Sequence, residues 1–93
     1  PGATPREWPE TVVFKLEAPD AEYVCLAGTF NDWQPQNVSL SKGSDGHWSV
    51  ALPLAPGAYE YRFIVDGVWQ EDPDAIDSAP NPFGGRNSII QIT

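Results

Sequence analysis

The sequence predicts an all-β protein, an antiparallel β-sandwich of about seven short strands. Short apolar runs recur every ~8–14 residues between turn residues, which is the spacing of sandwich strands. Within the runs apolar and polar residues alternate, and no long stretch keeps the 3.6-residue period of a helix. Ten prolines and eight glycines punctuate the 93 residues, supplying the many turns that such a chain needs.

The first ten residues, Pro1 to Glu10, hold three prolines and no apolar alternation, and read as a linker or extended lead-in. The first strand follows over Thr11–Glu17, with Val12, Phe14 and Leu16 on one face and a Pro19-Asp20 turn after it. A second strand is expected over Tyr23–Ala27, with Val24 and Leu26 on one face and Tyr23, Cys25 and Ala27 on the other. Val38–Ser41 makes a short third run, ended by Gly43-Ser44-Asp45-Gly46. His47–Leu54 alternates cleanly, placing Trp48, Val50, Leu52 and Leu54 inward, and Pro56-Gly57 turns the chain. Ala58–Val65 puts Tyr59, Tyr61, Phe63 and Val65 on one face and Ala58, Glu60, Arg62 and Ile64 on the other. Asp66-Gly67 is a two-residue hairpin signal of type I′, leading into Val68-Trp69. Glu71, Asp72, Asp74 and Asp77 form an acidic turn, Asn81–Arg86 a loop, and Ser88–Ile92 the last strand.

A chain of this length makes one domain that buries roughly 64% of its unfolded surface, enough for one modest core but not for a deep enclosed active site as well. Five Lys and Arg against thirteen Asp and Glu give a net charge of −8, and there is no basic run. Nucleic acid and anionic lipid, whose binding rests on Lys and Arg contacts with phosphate, are therefore poor partners. No apolar run approaches the ~20 residues of a membrane span. One cysteine, Cys25, cannot form an internal disulfide, so the fold does not depend on an oxidising compartment, and a cytoplasmic one is compatible. The chain begins at Pro1 and contains no Met, so an excised domain or a processed fragment is expected, with a linker or lead-in over 1–10 and a module over 11–93.

Catalysis has little to rest on. His47 is the one histidine and sits at a turn edge, and Cys25 lies in mid-strand, where a small buried thiol is the default. The acidic cluster could suggest paired carboxylates or calcium, but it lacks the glycine and distal glutamate of an EF-hand loop and reads as a solvated turn. The four tryptophans say more. Trp8 is expected to staple the lead-in to the surface, and Trp48 is in phase with the core. Trp33 follows Asn31-Asp32 in a polar loop, and Trp69 lies just past the hairpin. Two readings of that pair stand side by side: plugs at the end of the sandwich, or exposed platforms on which the apolar face of a sugar ring stacks. A stacked platform that removes ~60–80 Å² of apolar surface supplies ~1.5–2 kcal/mol. That suits a weak site on a repetitive polymer.

Gly28-Thr29-Phe30-Asn31-Asp32-Trp33 resembles the G-(S/T)-F-N-(N/D)-W signature of carbohydrate-binding module family 48. That family includes the glycogen-binding domain of the AMP-activated protein kinase β subunit and modules that precede the catalytic domains of starch and glycogen debranching and branching enzymes. Pro56–Phe63, Val65–Trp69, Asp72-Pro73 and Asn87–Ile92 resemble the family's remaining segments in order and spacing. The resemblance implies an immunoglobulin-like (E-set type) β-sandwich without catalytic activity or cofactor. It would bind α-1,4-linked glucan (glycogen, starch or maltooligosaccharide) and bring an attached or associated enzyme domain to the polymer. It also implies the site: Trp33 and Trp69 as stacking platforms, Arg62 on a sugar hydroxyl, Phe83 as the apolar residue that enters a ring of glucose units, and Asn87 as the loop amide. The glycine-rich segment Asn81–Arg86 departs from the kinase-type modules, which carry Leu in place of Phe83, and it adds a cation at Arg86. The alternative role is a structural accessory domain that packs against an amylase-type catalytic domain and binds no sugar.

Overall fold

A computed structural model describes residues 10–93, so the lead-in with Trp8 lies outside the described residues, except for Glu10. Eight strands follow in order: β1 (Glu10–Glu17), β2 (Val24–Gly28), β3 (Ser41–Lys42), β4 (His47–Leu54), β5 (Gly57–Val65), β6 (Val68–Gln70), β7 (Asp77–Pro80) and β8 (Arg86–Ile92). They form an all-β, immunoglobulin-like sandwich of two antiparallel sheets. One sheet has the order β1-β4-β3, and the other has β2-β5-β8-β7 with β6 also on β5.

The alternation read from the sequence places the core between the sheets. Phe14 and Leu16 of β1, Trp48 and Leu54 of β4, and Tyr61 and Phe63 of β5 are all buried there with Val24, Leu26 and Leu40. Phe63 stands edge-on to Tyr61, and Tyr61 edge-on to Phe14, at centroid distances of 6.0 and 5.0 Å. Such pairs contribute about 0.5–1.5 kcal/mol each beyond the area they bury. Trp48 satisfies its indole N–H by donating to the Ala18 carbonyl at 2.9 Å, so its burial leaves no orphan donor.

Three elements differ from the alternation. β2 is buried on both faces, because Cys25 and Ala27 lie with Ile64 in a second small cluster on the outer side of the sheet. Ile64 is therefore core and not an ordinary sheet-face residue. The run expected over Val38–Ser41 is split between the sheets. Residues 38–40 pair with β2, through Leu26 N–H to Val38 O and Leu40 N–H to Val24 O, before Ser41 and Lys42 join β4. β7 was not expected at all, and β8 begins at Arg86, two residues before the expected Ser88.

The acidic turn is also more than a solvated one. Asp72 accepts the Tyr61 hydroxyl at 2.5 Å and the Asp74 backbone N–H at 2.9 Å, while its own N–H donates to Ser88 Oγ. Burial first, and the Asp72 carboxylate second, push the Tyr61 hydroxyl far above the usual phenol range. A raised folded pKa stabilises fully below the unfolded value, near 10, and its contribution is lost as pH climbs above it. Stability measured by chemical denaturation should therefore fall above about pH 10, by up to about 1.4 kcal/mol per pH unit. Tyr61→Phe should flatten that slope; an unchanged slope would show that another group governs alkaline unfolding.

Candidate functional site

The outer face of the larger sheet carries a groove of about 500 Å³. It lies where the pairing of β5 changes partner. β8 pairs with Gly57–Tyr61 and β6 with Phe63–Val65, so Arg62 falls at the split between them. Parity along β5 turns Glu60 and Arg62 outward, opposite to the buried Tyr61 and Phe63. The hairpin sets the second wall. Asp66 and Gly67 both take positive φ (49° and 87°), the type I′ geometry that the Asp-Gly pair favours, and this registers Trp69 opposite Ile64. Arg62 then reaches diagonally to the next strand, its Nη2 donating to the Trp69 carbonyl at 3.4 Å.

The third wall is built by the loop after β2, where each residue of the Gly28–Trp33 segment has a distinct job. A Cβ on Gly28 would stand 2.5 Å from the Glu60 carbonyl oxygen and 2.7 Å from the Phe30 ring, so only glycine fits. Thr29 clasps Glu60 by its backbone N–H (2.9 Å to Glu60 O) and by its hydroxyl, which accepts from Glu60 N. Phe30 packs against the core between Phe14 and Tyr59. Asn31 acts as a staple: Oδ1 accepts the Gly28 N–H, and Nδ2 donates to the carbonyls of Leu26 and Gln34. Asp32 and Trp33 sit in the left-handed region, with φ of 57° and 59°, and the Trp33 N–H returns to Gly28 O at 2.9 Å. That turn lays Trp33 over Cys25, Ala27 and Ile64 while it lines the groove. Trp33 is thus half plug and half surface, whereas Trp69 is 41% exposed.

The loop between β7 and β8 closes the site. Asn81 Oδ1 accepts the N–H groups of Phe83 and Gly85, which folds the loop and leaves Phe83 at its tip, 92% exposed. Asn81 Nδ2 donates to Asn87 Oδ1 at 3.1 Å, and Asn87 Nδ2 donates to Glu60 Oε1 at 3.0 Å. All five residues singled out in the sequence, Trp33, Arg62, Trp69, Phe83 and Asn87, line the one groove. Arg86 does not. It faces the other side of the sheet and is spent on Ser78, with Nε donating to Oγ and Nη2 to the carbonyl. Thr29, Glu60, Asn81 and Pro82 also line the groove without having been singled out. For Glu60 the signal was available, since it shares a strand face with Arg62 two residues away.

The chemistry of the groove is that of neutral polyol recognition. Two indoles offer flat apolar surface, and the polar groups between them are a guanidinium, a carboxylate and amides. Arg62 Nε is buried and has no hydrogen-bond partner among the described residues. A shallow, aromatic-walled site of this kind on a small β-sandwich defines a carbohydrate-binding module.

Comparison with known proteins carries that class to a family. Residues 10–93 match the family described as the glycogen recognition site of AMP-activated protein kinase, and the chain belongs to that family. It is similar to the rice (Oryza sativa subsp. japonica) protein FLOURY ENDOSPERM 6, chloroplastic, at 37% identity over 78% of this chain and 13% of the relative. It is 36% identical to the 1,4-alpha-glucan branching enzyme GlgB of Lactobacillus acidophilus over 85% of this chain and 13% of that enzyme. It is 35% identical to the 5'-AMP-activated protein kinase subunit beta-1 of Sus scrofa over 74% of this chain and 53% of that subunit. The chain thus spans about an eighth of the first two relatives and half of the third. It is a glucan-binding module of non-catalytic type.

Proposed function

We propose that the groove between Trp33 and Trp69 is where the module holds α-1,4-linked glucan, and that it serves to bring an attached or associated protein to the polymer. The observation that supports this most is the conjunction in one groove of two indole walls and the guanidinium of Arg62. A sugar ring stacked on the indoles places hydroxyls at its rim, facing the polar side chains that line the groove. Phe83, exposed at the loop tip, adds apolar contact at the groove's edge. The net charge of −8 makes no difficulty, because the ligand is neutral.

Two platforms and a few hydrogen bonds, less the entropy of binding, give a Kd of roughly micromolar to millimolar. Native electrophoresis through gels containing glycogen tests the reading. The protein should be retarded in proportion to the glycogen concentration and should run freely in gels containing dextran, whose linkages differ. Equal mobility in both gels would favour an accessory domain that packs on a catalytic partner and binds no sugar.

A further inference from the structure

Among the described residues the groove contains one carboxylate, Glu60, and its placement is closely determined. Oε1 is fixed by the Asn87 amide at 3.0 Å, and Asn87 is fixed in turn by Asn81 Nδ2 at 3.1 Å. The backbone of Glu60 is clasped at both N–H and carbonyl by Thr29. Asn87 is 8% exposed, so this relay runs beneath the groove rather than across it. Among the described residues, no hydrogen bond engages Oε2 of Glu60. Arg62 stands two residues along the same strand face, about 7 Å away by strand geometry, and lines the same groove. The groove therefore sets a fixed acceptor beside the Arg62 guanidinium.

We propose that Glu60 is a specificity-determining sugar contact, accepting a glucose hydroxyl through Oε2 while Arg62 donates to a neighbouring hydroxyl oxygen of the glucan. This rests on the groove being the glucan site, and it adds a ligand class: unmodified glucan in preference to phosphate-bearing glucan. A hydroxyl has a proton to give to the carboxylate. A phosphate monoester at that position has lost most of its protons at neutral pH, carries about −1.5 to −2 charge, and meets Glu60 as a like charge. Arg62 offsets part of that repulsion but cannot restore the lost donor. Glu60 thus selects by what it repels as well as by what it holds.

The test is a set of titrations followed by tryptophan fluorescence, using maltotriose and maltotrioses phosphorylated on the central glucose at O2, O3 or O6. Wild type should bind at least one phosphorylated form about tenfold more weakly than maltotriose. Glu60→Gln preserves an oxygen for Asn87 and removes the charge, and it should shrink that ratio at least threefold. Glu60→Ala should weaken maltotriose itself by about tenfold, with thermal unfolding showing that the domain is intact. If Glu60 merely buttresses Asn87, Glu60→Gln will leave the ratio at its wild-type value, and that result overturns the proposal. Wild-type saturation by maltotriose with no change in either variant overturns it too, while leaving the glucan reading in place. Failure of wild type to bind any of the sugars overturns both.

Discussion

Trp69→Ala is expected to weaken binding of maltoheptaose by about ten- to thirty-fold, the loss of one stacking platform of ~1.5–2 kcal/mol. Its melting temperature should stay within about 5 °C of wild type, because the indole is 41% exposed and its cross-strand contact with Ile64 contributes at most about 1 kcal/mol. Trp33→Ala should lose comparable affinity but behave differently on heating. It uncovers the cluster of Cys25, Ala27 and Ile64, so a further ~1–2 kcal/mol of stability goes with it. Calorimetric titration beside thermal unfolding separates the two effects. Large destabilisation by Trp69→Ala with affinity intact would make that residue a plug and not a platform.

The second large effect falls on a residue that touches no ligand. Gly28→Ala brings a methyl group to 2.5 Å from the Glu60 carbonyl oxygen and within 3 Å of two atoms of the Phe30 ring. The carbonyl belongs to the central strand β5 and cannot retreat without breaking the clasp to Thr29, so the loop has to move. A cost of about 2–4 kcal/mol is expected, in the range of overpacked core sites and large for a domain of this size. Urea denaturation should show the midpoint falling with little change in slope. Binding should weaken as well, since the same loop carries Trp33. A variant with the wild-type midpoint would show that the loop has room to shift.

Much of the fold was legible where one face of a strand is polar. β1, β4 and β5 alternate, and their phase gave the core directly, from Phe14 and Leu16 through Trp48 to Tyr61 and Phe63. The Asp66-Gly67 pair gave the register that sets Trp69 against Ile64. Alternation misleads where both faces are covered, as on β2, because the polar–apolar contrast that reports a face is gone. β7 was illegible for a different reason. Asp77-Ser78-Ala79-Pro80 has no β-branched residue and ends in proline, and it holds its place at the sheet edge through its pairing with β8.

The site was legible by residue but not by arrangement. Parity along β8 separates Asn87 from Arg86, so a strand begun two residues earlier would have turned Arg86 away from the groove at the outset. The left-handed turn at Asp32 and Trp33 was only half signalled, since aspartate is among the residues enriched in that conformation and tryptophan is not. Asn31 and Asn81 are both loop staples whose amides bind backbone. Their worth emerges only when the chain is closed around them.

Whether one aromatic groove on the outer sheet face binds glucan is tested most directly by titrating β-cyclodextrin into the domain while tryptophan fluorescence is recorded for wild type and Trp69→Ala in parallel. A saturable change is expected in wild type at micromolar to millimolar ligand, with the curve for Trp69→Ala displaced at least tenfold to higher concentration. Superimposable curves for the two proteins, or no saturable change in wild type up to several times the millimolar limit, would contradict it.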